Sequence, residues 1–211
     1  MMGRTAMMVL CLSWAAGAGQ AQQVSPPDDA QIARLIRTLP QAVQDSLIEA
    51  PERFAENAAG VIGGYGGPDG IDPAGIDLFI GVTRAAARSR TTARLMEADL
   101  DNDSAIRRTE VEALGQTLSA FQRGQLRRLF DRADKDRDST VPAAELRAQA
   151  DADARKVISQ NRELALRSLP LLDVNQDGLV SLAEVARVAA VARATADQVA
   201  ATPGVPRKAD L

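Results

Sequence analysis

Asp173-Val174-Asn175-Gln176-Asp177-Gly178-Leu179-Val180-Ser181-Leu182-Ala183-Glu184 is the stretch that decides how the chain is read. Oxygen-bearing side chains stand at its first, third and fifth positions. Gly178 is sixth, the β-branched Val180 eighth and Glu184 twelfth. Two earlier stretches repeat the frame. Asp99-Leu100-Asp101-Asn102-Asp103-Ser104-Ala105-Ile106-Arg107-Arg108-Thr109-Glu110 is one, and Asp134-Lys135-Asp136-Arg137-Asp138-Ser139-Thr140-Val141-Pro142-Ala143-Ala144-Glu145 is the other. Their first residues lie 35 and then 39 positions apart. A lone acidic run is as often a solvated turn as a site, but this frame recurs three times with its Glu and its inward hydrophobe.

The spacing has a chemical reason. A hard divalent cation such as calcium takes six to eight oxygens at about 2.3–2.6 Å. Short acidic or amide side chains at alternate positions converge when the backbone curls. Asp99, Asp101 and Asp103 do this in loop one, Asp134, Asp136 and Asp138 in loop two, and Asp173, Asn175 and Asp177 in loop three. The main-chain carbonyl at position 7 adds an oxygen from Ala105, Thr140 or Leu179. A water, or the Ser181 hydroxyl in loop three, serves position 9. Glu110, Glu145 and Glu184 close each set with two oxygens from the exiting helix. Apolar residues flank the loops at helical spacing: Leu126, Leu129 and Phe130, then Leu166 and Leu169, before loops two and three, and Val111, Leu114 and Leu118 after loop one.

These loops resemble the EF-hand family of helix–loop–helix calcium-binding proteins, and the third fits the full pattern D-x-[DN]-x-[DN]-G-x₅-E. The likeness covers about residues 83–192. It implies an all-α fold, an EF-hand array with short β pairing between loops, preceded by short N-terminal helices. It also implies calcium ions as the bound partner. Three departures stand out. Ser104 and Ser139 replace glycine at position 6, where positive φ costs a non-glycine residue roughly 1 kcal/mol. Arg107 and Pro142 occupy position 9, where neither supplies a side-chain oxygen. Pro170, three residues before loop three, is expected to kink the entering helix.

EF-hands usually pair through their loops, so three invite a fourth. Counting 35 residues back from Asp99 reaches Gly64. A loop over Gly64–Gly75 places Ile71 at position 8 and Asp72 as cap of a helix opening at Pro73, with no ordinary ligand set. The expectation is that this silent loop pairs with loop one, Ile71 beside Ile106, and that loops two and three form the other pair. Ile76, Phe79 and Ile80 are then expected to pack on the helix entering loop one, including Leu95. The resulting division is a lead-in over 22–51, a degenerate hand over 52–83, hands over 84–120, 121–155 and 156–200, and a tail over 201–211.

Around this frame, composition narrows the function. The chain has 211 residues, net charge −3 and no histidine; its single Cys11 and Trp14 lie near the start. Histidine-dependent triads, Cys–His dyads, histidine zinc sites and CxxC redox chemistry are excluded. No basic excess marks a nucleic-acid binder. Residues 1–21 read as a secretory signal: Arg4, an apolar run from Ala6 to Ala16, then small residues, with cleavage after Ala21 or Ala18. The location expected is periplasmic or secreted, in a bacterium, with no transmembrane segment. From residue 22 onward there is no cysteine, so no disulfide can hold the fold, and packing or a metal must. Pro40 and Pro51 are expected to open short helices, residues 63–70 to form a glycine-rich loop, and Ile32, Leu35, Ile36 and Leu39 to share one helical face. Met96 is the only methionine after the signal, which argues against a promiscuous Met-rich groove. No G-x-S-x-G or phosphate-binding glycine loop occurs. The function expected is therefore a non-enzymatic calcium sensor, buffer or calcium-stabilised module with an unidentified protein partner. The alternative is a calcium-stabilised enzyme.

Overall fold

The computed structural model describes residues 28–201. The signal segment, most of the lead-in and residues 202–211 of the tail lie outside the described residues. Nine α-helices and one two-stranded sheet make up the described part, so the fold is all-α. Helices α1 (Asp29–Thr38), α2 (Gln41–Glu49) and α3 (Pro51–Tyr65) come first. Asp28 caps α1 in a capping box with Gln31. Pro40 is the N-cap of α2 and Pro51 the first residue of α3, where a missing N–H costs nothing. Ile32, Ile36 and Leu39 are buried and Leu35 is partly buried against the same core, as the 3.6-residue spacing predicts.

Helix α4 (Pro73–Met96) runs for 24 residues. Then come β1 (Ile106–Arg107), α5 (Arg108–Gly115), α6 (Ala120–Ala133), β2 (Thr140–Val141) and α7 (Ala143–Lys156). The chain closes with α8 (Gln160–Ser168), a 3₁₀ turn over Leu169–Leu172, and α9 (Leu182–Ala201). Pro170 sits where the helix changes from α to 3₁₀ geometry, because it has no N–H for the α ladder.

Two hydrophobic cores are strung on α4. The outer core joins α1, α2, α3, α8, the 3₁₀ turn and α9 with Ile76 and Ile80 from the first half of α4. The inner core joins Leu95, at the far end of α4, and Ala98, just past it, with Ile106, Val111, Leu126, Phe130, Val141 and Leu146. Between them α4 meets α7: Ala87, Ala150 and Ala154 are buried, and the Thr91 hydroxyl donates to Asp153 Oδ2 at 3.1 Å. The inner core is thus inserted between two halves of the outer one.

Three expectations are corrected here. The helix leaving the silent loop and the helix entering loop one are a single element, α4, so Ile76 and Ile80 do not pack against Leu95. They share its helix and serve the other core. The glycine-rich loop is shorter than expected, since α3 continues through Gly63 and Gly64 to Tyr65. Ala201, placed in the tail, still belongs to α9.

The pairing of loops is also corrected. Ile106 pairs antiparallel with Val141, so loop one joins loop two. Ile71 forms its antiparallel bridge with Val180 of loop three, with N–H to carbonyl distances of 3.0 and 2.9 Å in the two directions. Neighbours in sequence, loops one and two, pair inside; the segments before and after them pair outside. Gly70, at φ +146°, permits the outer bridge, because a Cβ there would lie 2.6 Å from the Val180 carbonyl oxygen.

Candidate metal centre

Loop one leaves the end of α4 and enters β1. Its carboxylates organise the curl by accepting backbone N–H groups. Asp99 accepts from Asp103 and Ser104, both at 3.1 Å; Asp101 accepts from Asp103 at 3.2 Å; Asp103 accepts from Ala105 at 2.9 Å. One oxygen from each of Asp99, Asp101 and Asp103 lies within 4.8 Å of the others, and Asp134, Asp136 and Asp138 of loop two meet the same condition. Loop two repeats the bonding: Ser139 N–H to Asp134 at 3.2 Å, Asp138 N–H to Asp136 at 3.2 Å, Thr140 N–H to Asp138 at 2.7 Å. In loop three Asp173 accepts from Asp177 at 3.2 Å and from Gly178 at 2.8 Å, Asn175 Oδ1 accepts from Asp177 at 3.0 Å, and Asp177 accepts from Leu179 at 2.8 Å.

The curl demands left-handed backbone at two places per loop. Position 6 is one: Ser104 at φ 68°, Ser139 at 72°, Gly178 at 86°. Position 4 is the other, Asn102 at 59°, Arg137 at 63° and Gln176 at 60°, and no glycine marks it in the sequence. Only loop three relieves one of its two strained positions with glycine.

The closing glutamates reach back across each loop. Glu110 Oε1 accepts from Leu100 N–H at 2.9 Å, Glu145 Oε1 from Lys135 at 3.0 Å, and Glu184 Oε1 from Val174 at 2.8 Å. The second oxygen depends on position 9. Glu110 Oε2 accepts from Arg107 N–H at 2.7 Å, and Glu184 Oε2 from Ser181 N–H at 2.9 Å. Loop two has Pro142 there, which has no N–H, and Glu145 Oε2 is buried without a partner. Asp134 Oδ1 is likewise buried and partnerless, in a side chain only 3% exposed. The Ser181 hydroxyl, expected as a ligand, is engaged as a helix cap: it donates to Glu184 Oε2 at 2.8 Å and accepts from Glu184 N–H at 3.2 Å.

Arginines distinguish the loops further. The Arg107 guanidinium bonds Asp101 Oδ2 at 2.9 Å and also Asp103 Oδ2, spanning two of loop one's three converging carboxylates. The Ala105 N–H and the Arg107 side chain hold the Asp103 carboxyl below its ordinary range. Asp103, and Asp101 after it, push Arg107 above its own. Arg108 crosses to the neighbouring helix instead. It bonds Asp131 at 2.9 Å, passes 3.8 Å from Asp134 Oδ2 and lies 4.8 Å over the Phe130 ring. Sequence reasoning placed the loops but missed this use of position 9. The one sequence signal is the charge itself: position 9 is Arg107 in loop one, against Pro142 and Ser181 in the others.

The segment before α4 shares the exit geometry. Ile71 bridges, Asp72 Oδ1 caps the helix by accepting Gly75 N–H at 2.7 Å, and Pro73 is its first residue. In loops one, two and three the helix likewise starts two residues after the pairing residue, at Arg108, Ala143 and Leu182. Gly75 stands where the others carry Glu. A Cβ there would come within 2.8 Å of both the Tyr65 carbonyl oxygen and Ile71 Cγ1. Backbone therefore fills the space that a ligand side chain would need.

All-oxygen donor sets with two buried, partnerless carboxylate oxygens fit a hard divalent cation, and offer no nitrogen or sulfur to a softer one. Among the described residues no helix is long and apolar enough to cross a membrane. No family model matches this chain, and no curated protein or solved structure matches it either.

Proposed function

We propose that this is an exported calcium-binding protein of the EF-hand type, acting as a calcium sensor, buffer or calcium-stabilised interaction module. The observation that carries the reading is in loop two. Asp134 Oδ1 and Glu145 Oε2 are buried without a hydrogen-bond partner; Asp134 clusters with Asp136 and Asp138, and Glu145 reaches back over the same loop to Lys135 N–H. Leaving each such oxygen unsatisfied costs roughly 1–3 kcal/mol or more, and a bound divalent cation removes that cost in loop two.

Asp99, Asp101, Asp103 and Glu110, with the Ala105 carbonyl, would hold one ion. Asp134, Asp136, Asp138, Glu145 and the Thr140 carbonyl would hold the second. Asp173, Asn175, Asp177, Glu184 and the Leu179 carbonyl would hold the third, with a water at position 9 because the Ser181 hydroxyl is engaged with Glu184. The flexible, carboxylate-rich rings favour calcium over magnesium, which demands near-ideal octahedral geometry and retains its waters. The paired loops 66–72 and 173–184 support the same reading, since a silent partner bridges an active one at the same register. Export is proposed from the pattern of residues 1–21.

Calorimetric titration with calcium and then magnesium tests this. The expected result is two or three calcium ions per chain with weaker magnesium binding. No uptake at millimolar calcium would overturn it. Glu184→Gln should remove one site.

A further inference from the structure

We propose that Arg107 is a built-in competitor for the loop-one site, a tethered cation that calcium must displace, so that loop one fills after loops two and three. The inference rests on the calcium reading above and adds an order of filling to it. Its ground is a difference between three otherwise parallel loops. In loop one the guanidinium lies across Asp101 and Asp103, two of the three side chains that converge there. In loop two position 9 is Pro142; the nearest guanidinium, Arg108, is hydrogen-bonded to Asp131 and reaches only 3.8 Å from Asp134 Oδ2, and two buried carboxylate oxygens have no partner. In loop three position 9 is Ser181, which caps its own helix and leaves the carboxylates of Asp173 and Asp177 without an arginine contact.

The contacts suit the role physically. The Arg107 side chain is 43% exposed, so it can swing into solvent without opening the core. Its planar fork meets two carboxylates at once, which a lysine ammonium does not do equally well. Exposed ion pairs of this kind are weak individually. A doubly charged ion held by five or more oxygens outcompetes them, but at a cost in apparent affinity. Displacing the guanidinium frees Asp101 Oδ2 and Asp103 Oδ2 and returns a positive side chain to the surface beside the occupied loop.

The experiment is a calcium titration of the protein followed by amide NMR, reading Ser104, Ser139 and Gly178 as reporters of the three loops. In the wild type Ser104 is expected to respond at the highest calcium concentration. Arg107→Ala should lower the Ser104 midpoint on the order of tenfold, as expected for two exposed ion pairs given up, with the Gly178 midpoint moving less than about twofold. Arg107→Lys should fall between the two. A Ser104 midpoint that stays put in Arg107→Ala, or that moves no more than Gly178, overturns the inference while leaving the calcium reading intact. A Gly178 amide that ignores millimolar calcium overturns the calcium reading, and this inference with it.

Discussion

At the inner pair, Ile106 faces Val141, and each flanking loop carries four acidic ligand candidates. At the outer pair, Ile71 faces Val180, and only loop three carries ligand candidates. The backbone plan is shared, from the bridging residue to the helix that opens two residues later. What differs is how each loop is held. Loops one and two hold acidic rings in shape through backbone N–H bonds, with Ser104 and Ser139 at positive φ. The 66–72 segment holds its shape by contact: Gly66 and Gly75 let backbone approach backbone, and Asp72 closes on its own helix.

That contrast breaks most visibly when calcium is removed. The inner core gains from two proposed sites and the outer from one. A site saturated at 100 times its dissociation constant adds about 2.7 kcal/mol, so chelation should cost the inner region about 5 kcal/mol and the outer about half of that. Hydrogen exchange with chelator should show α5, α6 and β2 losing protection before α1, α3 and α9. Equal loss in both regions would show that the two pairs do not differ in this way.

Next in size is the bridge itself. Ile71 is 1% exposed in the outer core, and Ile71→Ala should destabilise by about 2–5 kcal/mol. Because its partner is Val180, the variant should weaken calcium at Asp173–Glu184 more than at Asp99–Glu110. Phe79→Ala should follow the same preference, since Phe79 meets Tyr65 edge-on at 5.2 Å beside the outer core. Its partial burial should hold its cost below that of Ile71→Ala. Calorimetry on each variant checks both; a larger loss at loop one would contradict the observed pairing.

Much of this was legible from residue types. The three loops, the all-α fold, the helix starts at Pro40 and Pro51 and the role of Ile71 as a pairing residue follow from spacing and local chemistry. Which loop pairs with which does not. Ile71, Ile106, Val141 and Val180 are equivalent as sequence signals, and the choice is made by α4 being one continuous helix. Nothing between Asp72 and Leu95 breaks a helix: Gly75 and Gly81 are single glycines without a following proline. A helix of 24 residues rises about 36 Å, too far for the loops at its two ends to meet. Loop one therefore cannot pair with the segment before α4, and in the structure it pairs with loop two. The Arg107 contact was hidden for a different reason: a long side chain shows its charge in sequence but not its direction.

A smaller effect tests whether the silent loop is filled by backbone. Gly75→Ala places a methyl group against the Tyr65 carbonyl and Ile71, each at 2.8 Å. Alanine is the better helix former by roughly 1 kcal/mol, so an open site would be stabilised. Here the crowding should win, with a net loss of about 1–3 kcal/mol. Gly63→Ala, which meets nothing within 4 Å, should be stabilising or neutral. Thermal melting in calcium compares the two. A Gly75→Ala protein as stable as Gly63→Ala would mean the loop has room that the contacts deny.

The smallest effect expected is on pH, at the seam between α4 and α8. Glu163 bonds Arg84 at 2.5 Å and Arg167 at 3.2 Å, and Arg167 also bonds Asp77 at 2.7 Å. Burial pulls the Glu163 carboxyl upward, but the hydrogen bonds and charges of Arg84 and Arg167 outweigh it and leave the group below its ordinary range. A carboxyl depressed in the folded state stabilises that state fully above its unfolded value, about pH 4.3 for glutamate. The contribution fades as pH falls through the lower, folded value. Two partly exposed ion pairs contribute about 0.4–2 kcal/mol together. Melting of wild type and Glu163→Gln in chelator should therefore differ most near pH 6–7 and converge below about pH 4. Chelator keeps calcium release from the acidic loops out of the comparison. A difference that grows on acidification would mean that the protonated Glu163 is the stabilising form, and that the seam is held by burial rather than by charge.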